Sequence, residues 1–369
     1  MSLLPTEDEI MLADTARGFL DAAAPVSHLR GLRDAGMTHD PALWAEMVAM
    51  GWAGVLVPEA QGGADMGHAA AGVLAREMGQ TLVSSPFLST AVMAATALRQ
   101  VANTRANDAL RQIADGTRIY ALALDEAAKH DPAKTELQAE ADGNGFRLTG
   151  AKTFVVDGGF ADRVLVLART TGGLTLFDLP TDRKGITRKT QAMIDSRDAV
   201  DLDFDAVSAT GDDVLGHVDD AMTVLAPALH AGQAALAAEM TGLAARALAM
   251  TVGYLKERKQ FGVPIGAFQA LQHRAAHLWS ETEITSSAIL NAGRVLDSGD
   301  DATLAVSLAK ARATQTAQLA VQEGVQMHGG IGMTDAFDMG FYMKRARVSA
   351  EWLGDYSYHA ERVARLRGF

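Results

Sequence analysis

Apolar residues recur at helical spacing through the first third of the chain. Between Glu7 and Leu20 they stand at Ile10, Leu12, Ala16, Phe19 and Leu20, and after Pro41, a residue suited to a first helical turn, at Leu43, Trp44, Met47, Val48 and Met50. Gly51 and Trp52 end that second pattern, and further helices are predicted over 67–78, 86–100 and 107–114. From Arg118 the period changes. Short apolar runs at 119–124, 137–141, 146–148, 153–156, 163–168, 174–179 and 200–204 are separated by turns such as Asp142-Gly143-Asn144-Gly145 and Gly172-Gly173, whose residues permit positive φ. Along Val200–Asp205 acidic and apolar residues alternate strictly, so one face of a strand is charged and the other apolar.

Helical spacing returns at about Asp219. Met222, Leu225, Leu229, Leu236, Leu243, Met250 and Tyr254 form one stripe, Phe268, Leu271, Ala275, Leu278, Thr282 and Ile289 form a second, and a third helix is predicted from about Thr303 to Met327. Antiparallel helices joined by short loops make a bundle. The pattern therefore predicts an α+β chain with an N-terminal helical domain over 1–117, a middle antiparallel β-sheet or small barrel over 118–215 and a C-terminal helical bundle over 216–369.

Composition narrows the chemistry. With 369 residues, 48% of them apolar, the chain can bury a core large enough for an enzyme. It has no cysteine, which excludes disulfides, thiolate nucleophiles and cysteine-ligated metals. A net charge of -12 argues against a nucleic-acid surface, which needs clustered Lys and Arg. No run approaches the about 18 uninterrupted apolar residues of a membrane span, and the start lacks the basic and apolar blocks of a signal peptide. A cytoplasmic protein without a membrane partner is expected. Among the 10 His, only His273 and His277 have helical i,i+4 spacing, and no acidic or His pattern accompanies them, so no metal site is expected.

The stretch Arg258 to His273 concentrates a planar cation, amides and two aromatic rings at a Gly and Pro break between two helical patterns. An Arg at a helix end can meet a phosphate, while Phe261 and Phe268 offer faces to a flat ring; a solvated cap with two core Phe is the plainer reading of the same residues. The order Arg258, Gln260-Phe261-Gly262, Pro264-Ile265, Phe268-Gln269 and Gln272-His273 resembles the helix-loop-helix signature of the acyl-CoA dehydrogenase family. Gln326-Met327-His328-Gly329-Gly330-Ile331-Gly332 downstream and Gly51-Trp52 to Pro58-Glu59 with Gly62-Gly63 upstream resemble the same family, in the same order.

That resemblance implies α,β-dehydrogenation of an acyl-CoA thioester with FAD as cofactor, in a tetramer. A carboxylate base, a dry slot and a grip on the flavin are what the protein must supply. It implies that Arg258, Phe261, Gln269, Gln326, Gly329 and Gly330 hold the FAD of a neighbouring subunit, and that an electron-transfer flavoprotein accepts the electrons. Phe154 stands where a family Trp stacks on the flavin ring, but Val156 replaces a hydroxyl donor and Asp125 to Asp131 depart from the usual flavin-lining loop. Two consequences stay open, a weaker hold on the chain's own flavin or a hold through other backbone groups.

The family's aromatic-Glu-Gly-Thr step reads Trp352-Leu353-Gly354-Asp355 here, which puts a leucine at the glutamate. Glu239, on the apolar stripe of a core helix, and Asp355 are the candidate bases, with Glu351 behind them; a structural ion pair, with Arg246 one heptad on or with another helix, is the competing reading of Glu239. Three functions stay open: an acyl-CoA dehydrogenase with a displaced base, a non-catalytic partner chain in a mixed tetramer, and an acyl-CoA-binding protein without redox activity.

Overall fold

The computed structural model describes residues 3–369. The N-terminal helices are α1 (Glu7–Ala23), α2 (Val26–Asp34), α3 (Pro41–Ala49), α4 (Gly67–Thr81), α5 (Ala95–Arg99) and α6 (Thr104–Ala114), with a π-helical segment over Phe87–Ala94. Their starts follow side-chain chemistry. Thr6 and Glu9 close a reciprocal capping box on α1, Asp40 caps α3 ahead of Pro41, and Asn103 caps α6 through the Ala106 N–H, so α6 begins three residues earlier than its apolar pattern. The short helix α2 has no counterpart in the sequence reading.

The middle sheet is built from β1 (Tyr120–Ala123), β2 (Gln138–Asp142), β3 (Gly145–Val156), β4 (Arg163–Arg169), β5 (Leu174–Pro180), β6 (Ile186–Thr190) and β7 (Ala199–Thr210). Its order is β1-β4-β2-β3-β7-β6, with β5 on β4. Most pairs are antiparallel, and β1 runs parallel to β4 with Tyr120 opposite Arg163. The runs predicted at 146–148 and 153–156 are one long strand. It is interrupted by two register shifts against β7, between Leu148 and Gly150 and between Lys152 and Val155, and the apolar rhythm breaks at those bulges. The strand β6 escaped prediction because four of its five residues are exposed and polar. Leu148, Val164, Val166, Phe177, Leu202 and Val207 centre the core behind the sheet.

The C-terminal helices are α7 (Ala221–Glu257), α8 (Gln269–Ser298), α9 (Thr303–His328), α10 (Met339–Glu351) and α11 (Tyr356–Arg367). Between α7 and α8 lie β8 (Lys259–Gln260) and β9 (Val263–Pro264), a two-stranded hairpin. Residues 231–244 of α7 are buried on every side, so a single stripe understates this helix. By length and composition it is apolar enough to cross a membrane, and the same apolar surface is mostly buried inside the protein.

By packing, the described residues form two compact units. One takes the chain up to Gly31, His68–Val83 and Gln233–Phe369; the other takes Leu32–Gly67 and Ser84–Gly232. The first unit therefore gathers α1, most of α4 and the C-terminal helices around α7. There α4 crosses α7 at backbone contact: a Cβ on Gly79 would stand 2.0 Å from the Glu239 carbonyl oxygen, and one on Gly242 would stand 1.8 Å from that of Arg76. Two glycines make this approach possible, and they fix where Arg76 and Glu239 leave their helices.

Candidate functional site

The last turn of α7 leads directly into the β8–β9 hairpin, whose two-residue tip is Phe261-Gly262. Both tip residues have positive φ, +54° and +83°, the sense of turn that two-residue hairpins favour. Glycine adopts this readily, but a bulky aromatic residue does so only under strain, and such strain concentrates at binding sites. Phe261 is 91% exposed and meets Phe268 edge-on with ring centroids 6.1 Å apart. Arg258 is exposed, its backbone is fixed by bonds to Tyr254 and Ile265, and its guanidinium has no partner among the described residues.

The glycine pair belongs to the same end of the bundle. Tyr254, one turn before Arg258, packs on His328 with ring centroids 4.5 Å apart, and His328 immediately precedes Gly329. Gly329 has φ +65° and ψ -141°, a conformation that favours glycine, and a Cβ at Gly329 or Gly330 would meet nothing within 4 Å. Arg274 pairs with Glu323 at 2.5 Å, which ties the start of α8, where Gln269 stands, to the last turns of α9, where Gln326 stands. Gln269, Gln326, Gly329 and Gly330 are all exposed. An unpaired guanidinium, exposed rings and an open glycine cradle suit the phosphates and flat rings of a dinucleotide.

The carboxylates are differently placed. Glu239 is buried, and its Oε1 lies 3.6 Å from Nη1 of Arg345, whose side chain is 1% exposed and which also donates to the Val83 carbonyl at 3.1 Å. The partner is thus a helix-α10 arginine, whereas Arg246 is exposed. Asp355 caps α11, accepting the Tyr358 N–H at 2.9 Å, and Glu351 pairs with Arg347 at 3.1 Å. Leu353 is buried at φ +58°, and its carbonyl accepts from Gln233 at 3.2 Å and from His359 at 3.0 Å. All three carboxylates hold structural contacts, and position 353 has no proton-accepting group.

Lys310, which the sequence reading passed over, supports this turn from α9. Fully buried, its ammonium donates to the carbonyls of Ser349 at 3.0 Å and Gly354 at 3.1 Å. A lysine at core spacing among Val306, Ala309 and Ala313 was the available signal. Burial pushes its pKa down to about 7, with Asp355 and Glu351 opposing the shift. An unfolded lysine titrates near about 10.4, so between these values unfolding takes up a proton and stability rises with pH. Compared with Lys310→Met, the wild type is expected to gain unfolding free energy from pH 7 to pH 9.5 in denaturant titrations. Parallel profiles would contradict this reading of Lys310.

In the second unit, Phe154 sits at the bulge between Lys152 and Val155 with φ +53°, which turns its half-buried ring out of the strand's alternation. The loop after β1 lies beside it, because the Thr153 N–H donates to the Asp125 carbonyl at 2.8 Å. The polar side chains here engage one another. Lys152, buried, donates to Glu126 at 2.7 Å and to the Leu124 carbonyl at 3.1 Å; His130 and Asp125 meet at 2.9 Å; Thr153 donates to Asp201 at 2.6 Å. Burial pushes the Lys152 ammonium down, while its ion pair holds the Glu126 carboxyl below its usual range against burial. Val156 is buried and apolar. The polar side chains beside Phe154 are thus engaged with one another, whereas the Arg258 guanidinium has no such partner among the described residues.

Comparison with known proteins gives a consistent relationship along the chain. The profile described as "Acyl-CoA dehydrogenase, N-terminal domain" matches residues 6–147, and "Acyl-CoA dehydrogenase, C-terminal domain" matches residues 221–366. "Acyl-CoA dehydrogenase IpdE2" of Mycobacterium tuberculosis is 32% identical, over 95% of this chain and 94% of the relative. Among solved structures, a variant of the "Tcur3481-Tcur3483 steroid ACAD" superposes with a TM-score of 0.89 at 31% identity, covering 98% of both chains. The "ChsE4-ChsE5 complex from Mycobacterium tuberculosis" superposes with a TM-score of 0.92 at 25% identity over 100% of both.

Proposed function

The chain belongs to the acyl-CoA dehydrogenase family, FAD-binding oxidoreductases that act on the CH–CH groups of acyl-CoA, and from this we propose that it serves such a dehydrogenation as one of two unlike chains in a mixed tetramer. In this reading Arg258, Phe261, Gln269, Gln326, Gly329 and Gly330 complete the flavin site of a catalytic partner chain. FAD, when bound there, supplies the hydride acceptor of the reaction. Arg258 meets phosphate oxygens with a planar fork of donors, and the glycine pair admits the cofactor close to backbone. The partner supplies the carboxylate that removes the Cα proton.

Leu353 carries the proposal. It is buried where the family has its glutamate, and Glu239, Asp355 and Glu351 are each held by other groups. Two of the solved relatives bear paired component names, which supports a two-chain assembly. The steroid enzyme among them makes a steroid-derived acyl-CoA the first substrate class to offer. An electron-transfer flavoprotein is the acceptor we propose.

The test is to purify the chain alone, and then with a second acyl-CoA dehydrogenase chain that retains the glutamate, recovered by affinity capture from the same cells. Flavin absorbance per chain and light scattering are measured for both preparations. Alone, the chain is expected to be colourless or far below one FAD per chain; together, the two should form a yellow tetramer whose flavin is bleached by acyl-CoA. A fully flavinated tetramer of this chain alone that acyl-CoA reduces would instead make it a self-sufficient dehydrogenase.

A further inference from the structure

Within the first unit, the N-terminal segment, α1, α4 and α8 enclose a partly open cavity of about 500 Å³, a size that takes a small molecule rather than a peptide. Leu4, Ile10, Val73, Ile289 and Leu290 make its apolar walls. Of the charged lining groups, Arg17, Asp14 and Glu77 pair with one another, Glu9 pairs with Arg294 of α8, and Glu283 is exposed. Glu77 receives Arg17 through Nε at 3.1 Å and Nη2 at 3.2 Å, Asp14 receives the same Arg17 at 3.2 Å, and Glu9 receives Arg294 at 3.2 Å and the Thr6 N–H at 2.7 Å.

Arg76 differs. It lines the cavity, its Nε is buried without a hydrogen-bond partner, and it forms no ion pair among the described residues. Its backbone is pinned where Gly242 brings α7 against α4. A half-buried guanidinium with an unused donor calls for an acceptor, and a carboxylate supplies two oxygens to such a planar fork. We propose that this cavity binds a small apolar molecule ending in a carboxylate, which Arg76 holds while the aliphatic walls enclose its body.

A straight-chain fatty acid and a fused-ring acid share this chemistry. The proposal concerns a free acid, so it stands or falls separately from the two-chain reading of the Arg258 surface. Isothermal titration of the purified protein with laurate, below its micelle concentration, and with lithocholate tests it, with dodecan-1-ol as the uncharged control. At least one acid is expected to bind saturably at one site per chain and much more tightly than the alcohol, and the acid preferred identifies the shape of the body. Arg76→Gln should weaken that binding about tenfold or more, the loss of a charge-assisted contact. Val73→Phe, or Ser287→Leu should the first not fold, should abolish it by filling the cavity, with the thermal midpoint within a few degrees of wild type. Absence of saturable binding to folded wild type, equal affinity for the alcohol, or binding that Arg76→Gln and the filling variant leave unchanged would overturn the proposal.

Discussion

Arg258→Ala is expected to leave the chain folded while the assembly loses most of its FAD. Arg258 is exposed, so its removal opens no cavity and orphans no buried partner, and little stability should change. Its guanidinium stands at the foot of a hairpin whose tip presents Phe261, and a bidentate contact to phosphate from that position is worth about tenfold or more in affinity. Arg258→Lys should recover only part of it, because a compact ammonium replaces a planar fork. Flavin absorbance per chain after gel filtration reads the effect directly. Equal flavin content in wild type and Arg258→Ala would remove this residue from the cofactor site.

Glu239→Gln separates two roles through opposite signatures. If the carboxylate is a structural counter-ion, neutralising it leaves the Arg345 guanidinium buried beside an uncharged amide, at a cost on the order of 3 kcal/mol. The variant is then expected to unfold at markedly lower denaturant concentration, while its folded fraction supports normal turnover in the assembly. If Glu239 is the base, the fold and flavin persist and turnover falls about 100-fold or more. Asp355→Asn supplies the control, since asparagine caps a helix as well as aspartate does and should alter stability little. A stable Glu239→Gln protein with collapsed turnover would return Glu239 to catalysis.

The order of elements was legible from local pattern, because helix and strand periods are written in consecutive residues. The stripe of α8, the predicted span of α9 and the strands β4 and β5 lie where the pattern places them. Other elements, α2, β6, the β8–β9 hairpin, α10 and α11, had no counterpart in that pattern. Four of the five residues of β6 are exposed and polar, and its pairing with β7 creates the strand rather than any rhythm of its own.

At the site, the sequence by itself determined which groups are available: an Arg before Gln-Phe-Gly, a glycine pair after Met327-His328, and a leucine where the family has a glutamate. Tertiary structure alone decided how they are used. It lifts Phe261 to the tip of a strained hairpin, joins the two family-like motifs through Tyr254 and His328, and gives Glu239 its partner from α10 rather than the Arg246 one heptad away. The physical reason is range. Backbone preference and amphipathic period act between near neighbours in the chain, whereas the partner of a buried charge depends on which helices cross. Gly79 and Gly242, whose missing side chains bring α4 and α7 into contact, permit one such crossing.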